Sequence, residues 1–186
     1  MPTHQDYVTA STLFGRQLME LTDEQWYAAT PCAEWDVQAL VAHLVLGEAM
    51  MLDLLSGNRI EPVTEMDVSI LGPNPLATWR GTAIAAMEAA SAQEVEEKIY
   101  THPMGEVPGS IVLGFRITEN LIHAWDLAQA RNQPLELPDD LAERCLEFWL
   151  PLADSLVASG MVGAPVHPPE DAAAGVRLLA LFGRSV

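Results

Sequence analysis

One run constrains the fold of this chain more than any other: FRITENLIHAWDLAQA, residues 115–130. Leu, Ile and Ala recur at three- and four-residue spacing with no proline or glycine between them. The spacing predicts a helix from about Ser110 to Ala130. On a wheel of about 100° per residue, Glu119 and His123 stand about 40° apart, one turn from each other. Arg116 and Asp126 fall on the same stripe. Val112, Phe115 and Ile122 flank it, and Leu113, Ile117, Leu121, Ala124 and Ala128 take the opposite side. Apolar residues therefore surround the helix almost completely, the pattern of an element buried inside a bundle. A carboxylate and an imidazole carried inward need partners, because unpaired burial is costly. The plainer alternative is an exposed stripe of i,i+3 and i,i+4 ion pairs.

The rest of the chain also reads as helical. Tyr7, Val8, Leu13, Phe14, Leu18 and Leu21 give an amphipathic helix over about 4–20, with a short turn from Asp23 through Trp26. Asp36 is a natural N-cap for a helix from Val37 to Leu55, stopped by Ser56-Gly57-Asn58. A polar loop over about 58–73 leads to Asn74-Pro75, which opens an Ala-rich helix reaching about Ser91. IYTHPMGEVPG, residues 99–109, predicts a loop or a short irregular hairpin. A fifth helix is expected from near Asp139 to about Ala158, kinked at Pro151, and a short one from about Glu170 to Phe182. The expected architecture is all-α: one domain over 1–186, a four-helix bundle with residues 160–186 as an extension packed on it.

Charge narrows the function. The 186 residues hold 26 acidic and 9 basic side chains, a net charge of −17. Tracking a phosphate backbone requires a basic patch, and nine scattered cations do not build one, so no nucleic-acid partner is expected. Anionic lipid is disfavoured on the same ground. Apolar stretches are broken by His43, Glu48 or glycine before the roughly 18 residues that span a bilayer, so no membrane association is expected. Two cysteines, Cys32 and Cys145, form no disulfide framework, and the N-terminus has no signal-peptide pattern. A cytoplasmic protein is the expectation. No HExxH motif and no glycine-rich phosphate loop is present.

The helix over 37–55 offers a partner for the Glu119–His123 pair. Leu40, His43, Gly47, Met50 and Leu54 share one face, and Gly47 leaves room beside His43. If the two helices pack together, His43, Glu119 and His123 converge. Two imidazoles and a carboxylate can hold a divalent transition metal with open positions; a core histidine and a surface ion pair are the alternative. Asp126, three residues after His123, can orient that imidazole or pair with Arg80 or Arg131. Arg80 is a candidate for a substrate carboxylate. Cys32 precedes a helix N-terminus, where a thiolate is stabilised, or is a small packed residue. Trp35, Trp79 and Trp125 can wall a pocket or simply fill the core. His102 and His167 carry no ligand spacing.

TPCAEWDVQALVAHLV resembles the N-terminal signature of the mycothiol-dependent maleylpyruvate isomerase metal-binding domain family, of the DinB/YfiT-like superfamily. ENLIHAWDLAQA resembles its second signature, and RLLALFGR resembles the tail of its single-domain members. The resemblance implies a DinB-like bundle whose metal ligands are His43, Glu119 and His123. It implies zinc first, with nickel or another first-row ion as alternatives. Mycothiol is the implied cosubstrate, and the implied partners are a small-molecule thiol and an electrophilic substrate; homodimerisation stays open. The family's isomerase carries a further sterol-carrier-like domain that contributes to its active site. With the chain ending at Val186, the expectation is thiol transfer or an isomerase-type reaction on another small electrophile. A non-catalytic metal- or ligand-binding bundle is the alternative, and an iron oxygenase of the two-His-one-carboxylate type is a third.

Overall fold

The computed structural model of the chain describes residues 3–61, 66–160 and 162–186. Four long helices form the bundle: α1 (His4–Met19), α2 (Val37–Leu55), α3 (Pro75–Ala90) and α4 (Gly109–Ala130). Each start has a local cause. Thr3 and Asp6 form a reciprocal capping box at α1. Asp36 accepts the Ala39 amide at 2.9 Å at α2, as its position predicts. Asn74 accepts the Ala77 amide at 3.1 Å, with Pro75 in the first turn of α3. The all-α expectation is thus what the molecule shows, apart from one small hairpin. Strands β1 (Ile99–His102) and β2 (Gly105–Pro108) pair antiparallel, with Tyr100 opposite Val107, and deliver the chain into α4.

Within the bundle α1 packs on α4 and α2 on α3, while α2 also touches α4 and α1 touches α3. Tyr7, Phe14, Leu40, Leu44, Leu113, Ile117, Leu121 and Leu127 fill the middle, all 1% exposed or less. α2 requires one amendment to the membrane expectation, because its 19 residues are long and apolar enough to pass for a membrane span. Here half of that stretch is buried inside the fold, and its Glu48 is fully enclosed.

Past α4 the chain differs from the expected kinked helix. α5 (Asp139–Trp149) ends, a 3-10 turn covers Leu150–Leu152, and α6 (Ala153–Ser159) follows. Pro151 lacks an amide hydrogen and its ring crowds the preceding turn, so the helix breaks there instead of bending. The last helix, α7 (Ala174–Leu181), begins four residues later than expected. Pro169 instead accepts the Ala172 amide in a turn, and the cap residue Ala173 has no polar side-chain atom to accept from the first helical amides. α7 packs on α5, and Phe182 meets the Trp149 ring edge-on at 5.4 Å. The loop expected over 58–73 contains a 3-10 turn, Val68–Leu71; its residues 62–65 lie outside the described part.

Candidate metal centre

The stripe on α4 that could have been a solvated ion-pair ladder is mostly buried. Arg116, His123 and Asp126 are 7%, 6% and 0% exposed. α2 supplies the opposing wall and brings His43 across. Its Nε2 stands 2.5 Å from Glu119 Oε2, and the same oxygen lies 3.2 Å from His123 Nε2. One carboxylate oxygen is thus shared by two imidazoles, 76 and 4 residues away in sequence. The side chains of His43 and Glu119 are 28% and 32% exposed against 7% for His123, so the cluster has a closed back and an open mouth. Trp35 closes one side: its ring centroid lies 4.7 Å from that of His43 and 6.0 Å from that of His123.

Behind His123 runs a second row of contacts. His123 Nδ1 meets Asp126 Oδ2 at 2.9 Å. Arg184, from the tail after α7, donates from Nη2 to the same oxygen at 2.7 Å and from Nε to Oδ1 at 3.2 Å. A further bond to the Phe182 carbonyl at 2.8 Å holds the guanidinium in place. Arg184 Nη2 also stands 3.0 Å from Cys32 Sγ, which is 3.4 Å from Asp126 Oδ2. A carboxylate on Nδ1 fixes the ring and leaves Nε2 to face the mouth. Asp126 thus touches the His123 ring and also pairs with an arginine, which is Arg184 and neither Arg80 nor Arg131. Arg131 instead pairs with Glu20 and Gln17.

Below the cluster lies a pair that sequence reading missed. Glu48, fully buried on α2, accepts from Arg116 Nη2 at 3.0 Å, from Asn120 Nδ2 at 2.9 Å and from the Tyr7 hydroxyl. Gly47 makes room for this pair, not for His43: a Cβ there would meet Arg116 Nη1 at 2.2 Å. The signal in the sequence was Gly47-Glu48 interrupting an otherwise apolar run.

The electrostatics follow from this arrangement. Burial raises the Glu119 carboxyl, but the charge of His43 and hydrogen bonds from both imidazoles outweigh it, holding the group well below the usual carboxylate range. Burial lowers His123, yet its bonds to Asp126, Cys32 and Glu119 carry it well above the ordinary imidazole value. For His43 burial wins over the attraction of Glu119, and its value is lowered.

Among the described residues two donor groups could hold a cation: His43, Glu119 and His123, and also Cys32, His123 and Asp126, the donor atoms of each lying within 4.8 Å of one another. In the second group the Arg184 guanidinium already neutralises the carboxylate. The first faces the mouth, and two imidazole nitrogens with one carboxylate oxygen are donors that zinc accepts. The donor set therefore fits a divalent ion there.

The other candidates lie elsewhere. Arg80 is exposed on α3 and borders a groove with Arg16, away from the cluster. Trp79 packs on Phe14 and Gly15, and Trp125 is core. Cys145 is buried, which pushes its thiol up to about 11. The His102 ring lies tilted against Phe115 at 5.7 Å. Arg184 escaped sequence reading as a site residue, although the RLLALFGR ending contains it.

Known proteins resemble this chain in sequence and in fold. Two uncharacterized proteins of Mycobacterium tuberculosis, MT0763 and Rv0738, are each 30% identical over 179 residues, covering 95% of this chain and 94% of theirs. The crystal structure of the mycothiol-dependent maleylpyruvate isomerase superposes with a TM-score of 0.61 at 18% identity, covering 77% of this chain and 70% of that one. A mutant of that enzyme gives 0.59 at 16% identity. The model of the mycothiol maleylpyruvate isomerase N-terminal domain matches residues 8–128, which include α2, all but the last two residues of α4 and all three clustered side chains. The chain belongs to the mycothiol maleylpyruvate isomerase N-terminal domain family.

Proposed function

We propose that His43, Glu119 and His123 hold one divalent ion, zinc before nickel, and that the protein uses it to add the sulfur of a low-molecular-weight thiol to a small electrophile. Mycothiol is the expected thiol, in keeping with the family and with the mycothiol-dependent enzyme whose fold this chain shares. The observation that carries the reading is the meeting of two Nε2 atoms and one carboxylate oxygen at an open mouth, with the rear imidazole braced by Asp126 and Arg184. A divalent ion in such a site lowers the pKa of a coordinated thiol or water and supplies a nucleophile at neutral pH. The residues of the chain do the rest. Asp126 keeps His123 Nε2 turned to the mouth, Trp35 shields both imidazoles from water on one side, and the half-exposed edges of His43 and Glu119 leave an approach for the thiol and its acceptor.

The test has two stages. Metal analysis of the loaded protein should give one first-row ion per chain, with His43→Ala and His123→Ala each losing it; full retention in both variants overturns the ligand set. The cobalt-substituted protein should then develop a sulfur-to-metal charge-transfer band on titration with mycothiol. No band with mycothiol or simpler thiols, in a protein that still binds one cobalt, would make it a metal-binding protein without thiol chemistry.

A further inference from the structure

The nine cations of this chain are not distributed evenly between paired and unpaired states. Arg59, Arg116, Arg131, Arg144, Arg177 and Arg184 each have a carboxylate partner, and Lys98 lies over the Tyr100 ring. Among the described residues only Arg16 and Arg80 have neither. Both border one groove of about 400 Å³ between α1 and α3. In a chain with 26 acidic side chains, two free guanidiniums on one groove make a local positive spot on a negative surface. Apart from Ser11 and Thr12 the rest of the lining is apolar, with Met19 and Ile84 61% and 43% exposed along it.

Two polar atoms are buried behind the groove lining. Ser11 and Trp79 border the groove and are 1% and 7% exposed, and neither the Ser11 hydroxyl nor the Trp79 indole N–H has a hydrogen-bond partner among the described residues. Buried polar groups are normally paired. Both atoms are enclosed behind the groove wall, so the call for an acceptor in the groove comes from the two guanidiniums, which can only donate.

The geometry points to the α1/α3 groove as a second binding site, apart from the His43–Glu119–His123 cluster, for a small carboxylic acid with an apolar chain. The carboxylate lies at Arg16 and Arg80, and the chain runs along the apolar floor beside Trp79. The volume suits a small molecule, since such pockets run from about 300 to 1,000 Å³. A second copy of the chain fits less well: a stable interface covers about 800 Å² per partner, and both copies would carry −17. The inference does not depend on the metal reading, because none of the three clustered side chains borders this groove.

Calorimetric titration of the full chain, with and without zinc, with decanoate below its micellar range tests it, with decyltrimethylammonium as the control of opposite charge. Decanoate should bind once per chain, with the ammonium weaker by about tenfold or more, the worth of a charge-assisted hydrogen bond. The double variant Arg16→Gln/Arg80→Gln should weaken decanoate by a similar factor while circular dichroism and zinc content stay unchanged. Thr12→Trp, at an exposed position on the groove wall, should block binding in a folded protein. Equal binding of the two amphiphiles, undiminished decanoate binding in the double variant, or no saturable binding would each overturn the proposal. So would sedimentation showing a dimer that the double variant dissociates, which would make the groove an interface between copies.

Discussion

Two seams of the same bundle solve opposite problems. Where α2 meets α4, charge is carried inward and every buried charge is answered. Glu48 has Arg116, Asn120 and Tyr7; Asp126 has His123 and Arg184; Glu119 has two imidazoles. Where α1 meets α3, apolar side chains make most of the contact, His4 Nε2 meets the Met87 carbonyl at 2.9 Å, and the two arginines at its border have no carboxylate partner among the described residues. Even the glycines differ in purpose. Gly47 admits the Arg116 guanidinium, whereas Gly15 admits the Trp79 ring, which a Cβ would meet at 2.3 Å. Charges inside the first seam hold each other in place, so damage there should reach both stability and the site. The second seam has little to lose when its charges are removed.

Breaking the first seam should give the largest effect. Glu48→Ala leaves Arg116 enclosed without its countercharge, and removing one partner of a buried pair costs about 3–5 kcal/mol. Urea denaturation should show that loss. A loss under about 1 kcal/mol would mean that the pair is no more than a surface bridge in effect. Next comes the brace behind His123. Asp126→Asn or Arg184→Gln should weaken metal affinity by about 10–100-fold, the usual effect of removing a group that orients a ligand. Competition with a chromogenic chelator measures it, and an unchanged affinity in Arg184→Gln would confine Arg184 to a structural part.

The pH dependence sharpens the same contrast, because the two imidazoles shift in opposite directions. His123 is raised in the fold. Its contribution to the metal-free protein is therefore complete below the unfolded value of about 6.5 and is lost as pH rises through the higher folded value. His43 is lowered, so its unfavourable effect appears as pH falls below about 6.5 toward its folded value. Stability of the chelated protein should peak near the ordinary imidazole value and decline on both sides. Metal affinity should instead keep rising with pH past that peak, because His123 must lose its proton to coordinate. Thermal denaturation with chelator and metal titrations over the same buffers separate the two curves. A chelated protein whose stability climbs steadily across neutrality would contradict the elevated His123.

What could be read beforehand divides along the range of the interactions. The bounds of α2 follow from Asp36 and from Ser56-Gly57, all local features, and the structure ends the helix there. Glu119 and His123 announce themselves by one-turn spacing, and His43 by the face it shares; that α2 and α4 touch needed the resemblance to a known family. The alternative of an exposed ion-pair stripe on α4 could not be dismissed from the periodicity, because Arg116 and Asp126 read alike whether solvated or buried. Their partners lie far along the chain: Glu48 is 68 residues from Arg116, and Arg184 is 58 from Asp126. Periodicity reports only neighbours within a turn or two. Arg80 shows the same limit from the other side, since its type suggested a contact with a carboxylate but nothing local indicated which seam it borders.

The smallest effect should come from the second seam. Arg16→Gln with Arg80→Gln removes two exposed cations that hold no carboxylate among the described residues, so no buried charge is orphaned and no cavity is opened. Surface substitutions of this kind shift stability by about 0.5 kcal/mol or less. The direction should still be a loss, because removing positive charge from a chain already at −17 adds to its self-repulsion. Salt distinguishes that cause from a lost contact. Repulsion spread over the surface is screened within about 8 Å at physiological ionic strength, so the small loss should shrink as salt is added. A loss of 2 kcal/mol or more, insensitive to salt, would show that the two arginines hold α1 and α3 together. The groove would then be a structural joint like its neighbour, and the contrast between the seams would fail.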